Sequence, residues 1–238
     1  MACDRFFALV PAAGAGRRMK LSIPKQYLGI RGKSVLERTV EALSRVERLG
    51  GILVVVSPND ERASELALPR LARVVRCGGS TRAETVRNGV SLLLSDESPF
   101  PVSPSDWILV HDAARPFVSP EDVARLIGQV SRTGVGAILG MPVADTVKSI
   151  GEGARITGTI DRSKLFRAAT PQAFRASRLI EALSGSLDGV TDEASAVERL
   201  GDPVDSVPGS TLNFKITNPE DAVLAEAVAS ILDSWKNQ

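Results

Sequence analysis

The sequence predicts an α/β fold, a doubly wound and mostly parallel sheet with a protruding β-arm. Three observations predict it. Short apolar runs recur along the 238 residues, among them Phe6–Val10, Ile52–Val56 and Trp107–Val110. Uninterrupted apolar character, rather than alternation, marks strands covered on both faces. Segments with helical apolar spacing stand between these runs, and alternation of the two kinds gives a parallel sheet with right-handed crossovers. From Met141 to Thr170 the pattern changes to short branched pieces mixed with Thr, Lys, Arg and Gly, which reads as a hairpin excursion from the sheet.

Taken in order, Phe6–Val10 is the first strand, and it breaks at Pro11 into the loop Ala12-Ala13-Gly14-Ala15-Gly16. Ser34-Val35-Leu36-Glu37 is a capping box, and its helix carries Leu36, Val40, Leu43 and Val46. Ile52–Val56 is the second strand, with a helix expected near Asp60–Leu68. Arg73–Arg76 is a third strand, ending in Cys77-Gly78-Gly79-Ser80. Thr81-Arg82-Ala83-Glu84 is a second capping box, and Val86, Val90, Leu93 and Leu94 form one face of its helix. After a Pro/Ser-rich loop, Trp107–Val110 is the next strand. Ser119-Pro120 opens a helix with proline in its first turn, and Val135–Leu139 is again strand-like. Beyond the arm, with its Gly151-Glu152-Gly153 turn, helices are expected at Phe174–Leu183 and Asp192–Leu200. Short strands are expected near Val204–Val207 and Asn213–Thr217. Asn218-Pro219-Glu220-Asp221 caps a final helix, with Val223, Leu224, Ala227, Val228 and Ile231 expected as its buried stripe. No internal repeat divides the chain, so residues 1–238 read as one domain with 141–170 as an arm within it.

Charge excludes several classes of partner. Lys+Arg 29 against Asp+Glu 28 leaves +1, without a basic tract or acidic tail, so neither nucleic acid nor a membrane surface is expected as a partner. The two cysteines, Cys3 and Cys77, are not expected to form a structural disulfide, which fits a reducing cytoplasm. The Phe6–Val10 run is too short for the core of a signal peptide and runs straight into the glycine loop. No stretch approaches membrane-spanning length.

The chemistry gathers where strands end. An open parallel sheet binds ligands beyond the carboxyl ends of its strands. There the first strand leads to Gly14–Lys25, the third to Gly78–Arg82 and the fourth to His111-Asp112-Ala113-Ala114-Arg115-Pro116. A loop of Ala and Gly leaves backbone N–H groups bare to an anion, glycine permitting φ > 0. With Arg17, Arg18 and Lys25 close by, it suits a polyphosphate whose charge must be stabilised while a bond breaks. Two familiar phosphate motifs fail here. Gly14-Ala15-Gly16-Arg17-Arg18-Met19 lacks the last glycine of the dinucleotide fingerprint, and Gly32-Lys33-Ser34 has Tyr27 where a P-loop needs glycine. An isolated acid after a strand is ordinarily a cap or loop residue. Asp112 differs because fixed cations converge on the same sheet edge, and a hard carboxylate among phosphate-binding groups is what Mg²⁺ uses. His111, the sole histidine, has two readings, a general base or a packed, hydrogen-bonded imidazole. The apolar approach Ile108-Leu109-Val110 favours the second, and a phosphate nucleophile needs no base.

Ala12–Met19, Pro24-Lys25-Gln26-Tyr27, Val110–Pro116, Thr191-Asp192-Glu193-Ala194-Ser195 and Asn213-Phe214-Lys215-Ile216-Thr217 together resemble one family closely, the 2-C-methyl-D-erythritol 4-phosphate cytidylyltransferases of non-mevalonate isoprenoid biosynthesis. The blocks span essentially the whole chain. The resemblance implies a Rossmann-like nucleotidyltransferase domain that joins CTP to methylerythritol phosphate with release of pyrophosphate. It implies that Arg18 and Lys25 stabilise charge on the CTP α-phosphate, and that Asp112 holds Mg²⁺, with Mn²⁺ as a substitute. Ala12, Ala13, Gly14, Gly16, Gly79, Ser80, Arg82 and Thr85 would frame the nucleotide. Arg162 and Lys215 would position the acceptor, with Arg115, Thr146 and Thr170 nearby. Ser80 stands where some relatives carry an acid. A sister family acting on another polyol phosphate, such as ribitol 5-phosphate, shares the CTP loop, so the acceptor stays open on the residues alone. A non-catalytic nucleotide-binding module would keep the loop but could lose Lys25, Asp112 or Lys215. A thin hairpin is marginal by itself. Exchange of arms across a two-fold axis would cover its branched residues, and the resemblance implies such a cytoplasmic homodimer, Thr146 and Arg162 serving the neighbour's site.

Overall fold

Phe6–Pro11 forms β1 in the interior of a seven-stranded sheet. Phe6, Ala8 and Val10 enter one buried cluster, Phe7 and Leu9 the other, as the two-residue period of a strand requires. The run therefore has no position where a polar side chain could meet water. The computed structural model describes residues 4–14 and 23–235.

A small hairpin, β2 (Gly29–Ile30) with β3 (Lys33–Ser34), leads into α1, Val35–Ser44. There follow β4 (Leu49–Val55), β5 (Ala72–Val75), α2 (Arg82–Leu93), β6 (Trp107–Val110), α3 (Pro120–Thr133) and β7 (Gly136–Pro142). The arm contains β8 (Val147–Ile150) and β9 (Ile156–Ile160), and β10 (Phe166–Arg175) returns to the main sheet. The chain closes with α4 (Ala176–Ala182), α5 (Glu193–Glu198), β11 (Val204–Pro208) and α6 (Pro219–Trp235).

The strand order is β11-β7-β10-β6-β1-β4-β5. Every pairing in it is parallel except those of β10, which runs against both β6 and β7. The fold is thus the expected doubly wound α/β sheet. From β1 the chain steps outward to β4 and β5, then crosses back over β1 to β6. That reversal opens a crevice between the carboxyl ends of β1 and β6, where ligands of such sheets bind. Leu36, Val40 and Leu43 of α1 with Val123, Leu126 and Ile127 of α3 cover one face. Val86 and Val90 of α2, Leu179 of α4 and Val197 of α5 cover the other. Each such fully buried aliphatic side chain stabilises the fold by about 1.5–3 kcal/mol.

The caps form as the sequence indicates. Ser34 and Thr81 each accept from the third helical N–H, with Glu37 and Glu84 bonding back. Ser119 accepts from Asp122 N ahead of a helix with Pro120 in its first turn.

Four expectations change. Phe174 belongs to β10 rather than to a helix, because its ring fills the space above Gly136 on β7, and the helix begins only at Ala176. The helix expected near Asp60–Leu68 shrinks to a single 3-10 turn, Arg62–Glu65. Asn213–Thr217 is an irregular segment without strand pairing. The expected stripe of α6 is also turned over: Ala225 and Ala229 are buried, while Val223 is 74% exposed and Leu224 and Ile231 are half exposed. Small alanines let the helix approach Ile30, Val35, Phe117 and Ile216 closely, with Val228 of the expected stripe and Leu232 packing at the margin of the contact, and Val223, Leu224 and Ile231 are left outside.

The strands β8 and β9 pair only with each other. Their turn carries Gly153 at φ +66°, a backbone conformation glycine adopts without strain. Ile150, Ile156 and Ile160 stand exposed on this hairpin, at 67%, 62% and 41%. Among the described residues no helix is long and apolar enough to cross a membrane.

Candidate active site

A cavity of about 470 Å³ opens at the carboxyl ends of β1, β5 and β6, a size suited to a small-molecule ligand. Pro11–Gly14 line it after β1, Gly79–Arg82 and Thr85 after β5, and Asp112–Ala114 after β6. Lys25 and Gln26 enter from the turn that follows the first loop, and Lys215 and Thr217 from the segment before α6.

Backbone packing holds the loops that follow β1 and β5 together. A Cβ on Gly78 would lie 2.4 Å from Ala13 Cβ and 2.7 Å from the Val56 carbonyl oxygen, so only glycine lets these loops touch. Gly14 and Gly79 keep ordinary φ, contrary to the expectation of left-handed backbone here. What Gly14 supplies is open space, since a methyl on its Cα would meet nothing within 4 Å. Gln26, buried, donates from Nε2 to the Ala12 carbonyl at 2.8 Å and braces the loop from beneath.

The electrostatic centre is Asp112. Arg82 Nε donates to its Oδ1 at 2.8 Å, and Lys215 Nζ lies 2.7 Å from its Oδ2. Arg115 Nε stands 3.6 Å from the same oxygen. Burial alone would raise the Asp112 carboxyl, but the Arg82 and Lys215 charges outweigh it and hold the group well below the usual carboxylate range. The ionised form of Asp112 is thus the favoured one among these cations. Arg82 forks onto Glu193, Nη1 to Oε1 at 2.7 Å and Nη2 to Oε2 at 3.0 Å. Lys25 Nζ donates to the Ile216 carbonyl at 3.3 Å. Cations on three separate segments thus converge on one cavity.

Behind this wall His111 is fully buried. Its Nε2 lies 3.1 Å from the Arg115 carbonyl and its Nδ1 3.0 Å from Thr170 Oγ1, and burial pushes its pKa down to about 4. It is the packed imidazole, outside the cavity lining. Thr170 is buried too, its Oγ1 accepting from Asp112 N at 3.0 Å beside the register shift in β10. Bulges of this kind re-aim a side chain next to a site.

A pH effect follows. The folded pKa of His111 lies below the unfolded value near 6.5, so the unfolded chain binds the proton first. Stability is full above pH 6.5 and is lost as pH falls from there toward 4. Unfolding in urea is expected to cost about 2 kcal/mol less at pH 5 than at pH 7. His111→Gln should flatten that difference; an equal pH slope in the variant would assign it elsewhere.

Of the residues expected at the site, Ala12, Ala13, Gly14, Lys25, Gly79, Ser80, Arg82, Thr85, Asp112 and Lys215 line the cavity. Gly16 and Arg18 lie outside the described residues. Thr170 and Arg115 sit behind Asp112, with Arg115 Nη1 donating to the Asn213 carbonyl at 2.7 Å. Thr146 and Arg162 belong to the arm, Thr146 exposed and Arg162 bonded to the Ala144 carbonyl, and neither lines the cavity. Sequence reasoning gives no role to Glu193 or Gln26. Their signal is present in the Thr191–Ser195 and Pro24–Tyr27 blocks, but its use depends on partners distant in the chain.

Residues 6–230 match the family model described as 2-C-methyl-D-erythritol 4-phosphate cytidylyltransferase. The chain belongs to this family. A relative of that name from Laribacter hongkongensis is 46% identical over 236 residues, 98% of this chain and 100% of its own length. One from Neisseria meningitidis serogroup A is 47% identical over 220 residues, covering 91% and 94%. Among solved structures, a 4-diphosphocytidyl-2C-methyl-D-erythritol synthase superposes with a TM-score of 0.83 at 43% identity, over 96% of this chain and 99% of that one. The Thermus thermophilus cytidylyltransferase gives 0.75 at 33% identity, over 95% and 99%. Membership in the family makes the chain a nucleotidyltransferase, and the cavity its candidate active site.

Proposed function

We propose that this enzyme joins CTP and 2-C-methyl-D-erythritol 4-phosphate to give CDP-methylerythritol and pyrophosphate. The observation that carries the reading is the convergence of Lys25, Arg82 and Lys215 on a cavity floored by bare backbone at Ala12–Gly14. That surface suits a triphosphate, and family membership supplies the acceptor. A phosphate oxygen of the acceptor attacks the CTP α-phosphorus, the new P–O bond forms, and the bond to the β-phosphate breaks with pyrophosphate leaving. The attacking oxygen is already an anion near neutral pH, so no base is required and buried His111 is left to packing. Catalysis then rests on positioning and on charge stabilisation. Lys25 and Arg18 take the charge that builds on the α-phosphate; Lys215 and Arg162 orient the acceptor.

A divalent cation fits the residues present. Among the described residues no three acids, histidines or cysteines are grouped, so an all-protein cage is not offered. One carboxylate, Asp112, its pKa lowered by the surrounding cations, faces the cavity, and Mg²⁺ commonly binds through one or two carboxylates plus substrate phosphates. Asp112 would hold Mg²⁺, with Mn²⁺ as a substitute, and the ion would offset the negative charge of the triphosphate. The arm supports a homodimer, because exposed Ile150, Ile156 and Ile160 need cover and Arg162 lies off its own chain's cavity. A cytoplasmic location fits the reading.

The test is pyrophosphate release from CTP with Mg²⁺ across a panel of polyol phosphates. Turnover with methylerythritol phosphate far above that with ribitol 5-phosphate is expected. Preference for ribitol 5-phosphate would reassign the acceptor, and no release with any acceptor would remove the reading.

A further inference from the structure

Glu193 is 1% exposed, and a carboxylate is that deeply buried only when it is paired. Its partner is Arg82, 111 residues away, engaged through both guanidinium nitrogens. A planar fork on a carboxylate fixes direction as well as charge. The third nitrogen of the same guanidinium, Nε, meets Asp112 in the cavity. Glu193 is itself clamped. Gln172 of β10 donates to Asp192 Oδ2 at 2.8 Å and accepts from Ala194 N at 2.9 Å, fixing the backbone on either side of it. A rigid line of contacts therefore runs from β10 through α5 to a cation in the nucleotide cavity.

The distribution of charge gives this line a purpose. Arg82, Arg115 and Lys215 surround Asp112, and Glu193 is the second carboxylate paired to that group. Without Glu193, Arg82 would have Asp112 as its sole anionic partner, and the cavity's carboxylate would be tied to orienting it. With Glu193 in place, Arg82 keeps its orientation whether or not Asp112 stays bonded to it.

We propose that Glu193 is a positioning residue for CTP: it holds the Arg82 guanidinium in register at the nucleotide cavity, so that Arg82 meets the nucleotide in a fixed orientation and Asp112 is not needed to orient it. The inference rests on the reading of the cavity as a CTP site. Glu193 does not touch the ligand and acts through Arg82 alone.

CTP affinity is measured by titration calorimetry without acceptor, beside a thermal melt and the KM for methylerythritol phosphate. Glu193→Gln keeps the shape but removes the charge and places an NH₂ against the guanidinium. It is expected to weaken CTP binding by about 10-fold or more, leaving the acceptor KM within about twofold. Glu193→Asp retains the charge at shorter reach and should fall between wild type and Glu193→Gln. In an Arg82→Gln background the Glu193 change should add nothing further, because the two act as one unit. If Glu193→Gln does not fold, the Asp variant and its Arg82→Gln double carry the same comparison. Unchanged CTP affinity in the folded variant, or a loss that persists without Arg82, would overturn the proposal. Wild-type protein that bound no CTP would instead overturn the reading of the site beneath it.

Discussion

Lys25→Ala is expected to lower kcat by about 10²–10³ while raising the apparent KM for CTP far less. The reason lies in where the ammonium is fixed. Lys25 begins a 3-10 turn, Lys25–Tyr27, whose middle residue Gln26 is buried, and both residues line the cavity. Gln26 ties that turn to the Ala12 carbonyl, so the turn cannot drift from the loop it faces. The Lys25 ammonium lies within 3.3 Å of the Ile216 carbonyl, next in sequence to Lys215. A cation held this way needs no reorganisation as charge grows on the α-phosphate, so its effect appears in the transition state more than in the ground state. Steady-state kinetics with both substrates decide the matter. A raised KM at unchanged kcat would make Lys25 a ground-state phosphate contact and move the transition-state role to Arg18.

The parts of the fold readable in the sequence are those whose signals are local. β1, β4 and β6 announce themselves because each is buried on both faces, and an unbroken apolar run leaves no face for water. The starts of α1, α2 and α3 are legible because a cap is a contact between residues three apart. β10 is not, since Phe166–Arg175 interrupts its apolar residues with Arg167, Thr170, Pro171 and Gln172. Thr170 and Gln172 are buried by the site's hydrogen bonds rather than by strand periodicity: Thr170 bonds Asp112 and Gln172 bonds Asp192, the cap of α5. The face of α6 misleads for the opposite reason. Its larger apolar residues look like a core stripe, whereas closeness of approach selects Ala225 and Ala229.

The site divides the same way. Asp112 and the glycine loop stand at strand ends, where topology alone concentrates function, so a single sequence points to them. The pairing of Arg82 with Glu193 joins the first turn of α2 to the first turn of α5, and nothing local in either segment foretells it. Gly78 is legible as a loop glycine, but its actual constraint is the 2.4 Å approach to Ala13, a tertiary fact.

Lys25→Ala and Arg162→Ala, each close to inactive alone, are expected to regain about a quarter of wild-type activity when co-refolded in equal amounts. The arithmetic assumes a two-fold dimer whose sites are shared. Random pairing makes half of the dimers mixed, and each mixed dimer has one site with intact Lys25 from one chain and intact Arg162 from the other. The motive is the arm. Its two strands pair with nothing in the main sheet, and such a hairpin is marginal in water unless a neighbour covers it. Ile150 and Ile156 are more than half exposed, while Arg162 bonds to the arm's own Ala144 carbonyl instead of lining the cavity of its chain. Light scattering at micromolar concentration gives the assembly state, and the activity of the mixture gives the sharing. A monomer would remove the dimer. A dimer whose mixtures stay as inactive as either parent would keep the interface but return Arg162 to its own subunit's site or to none.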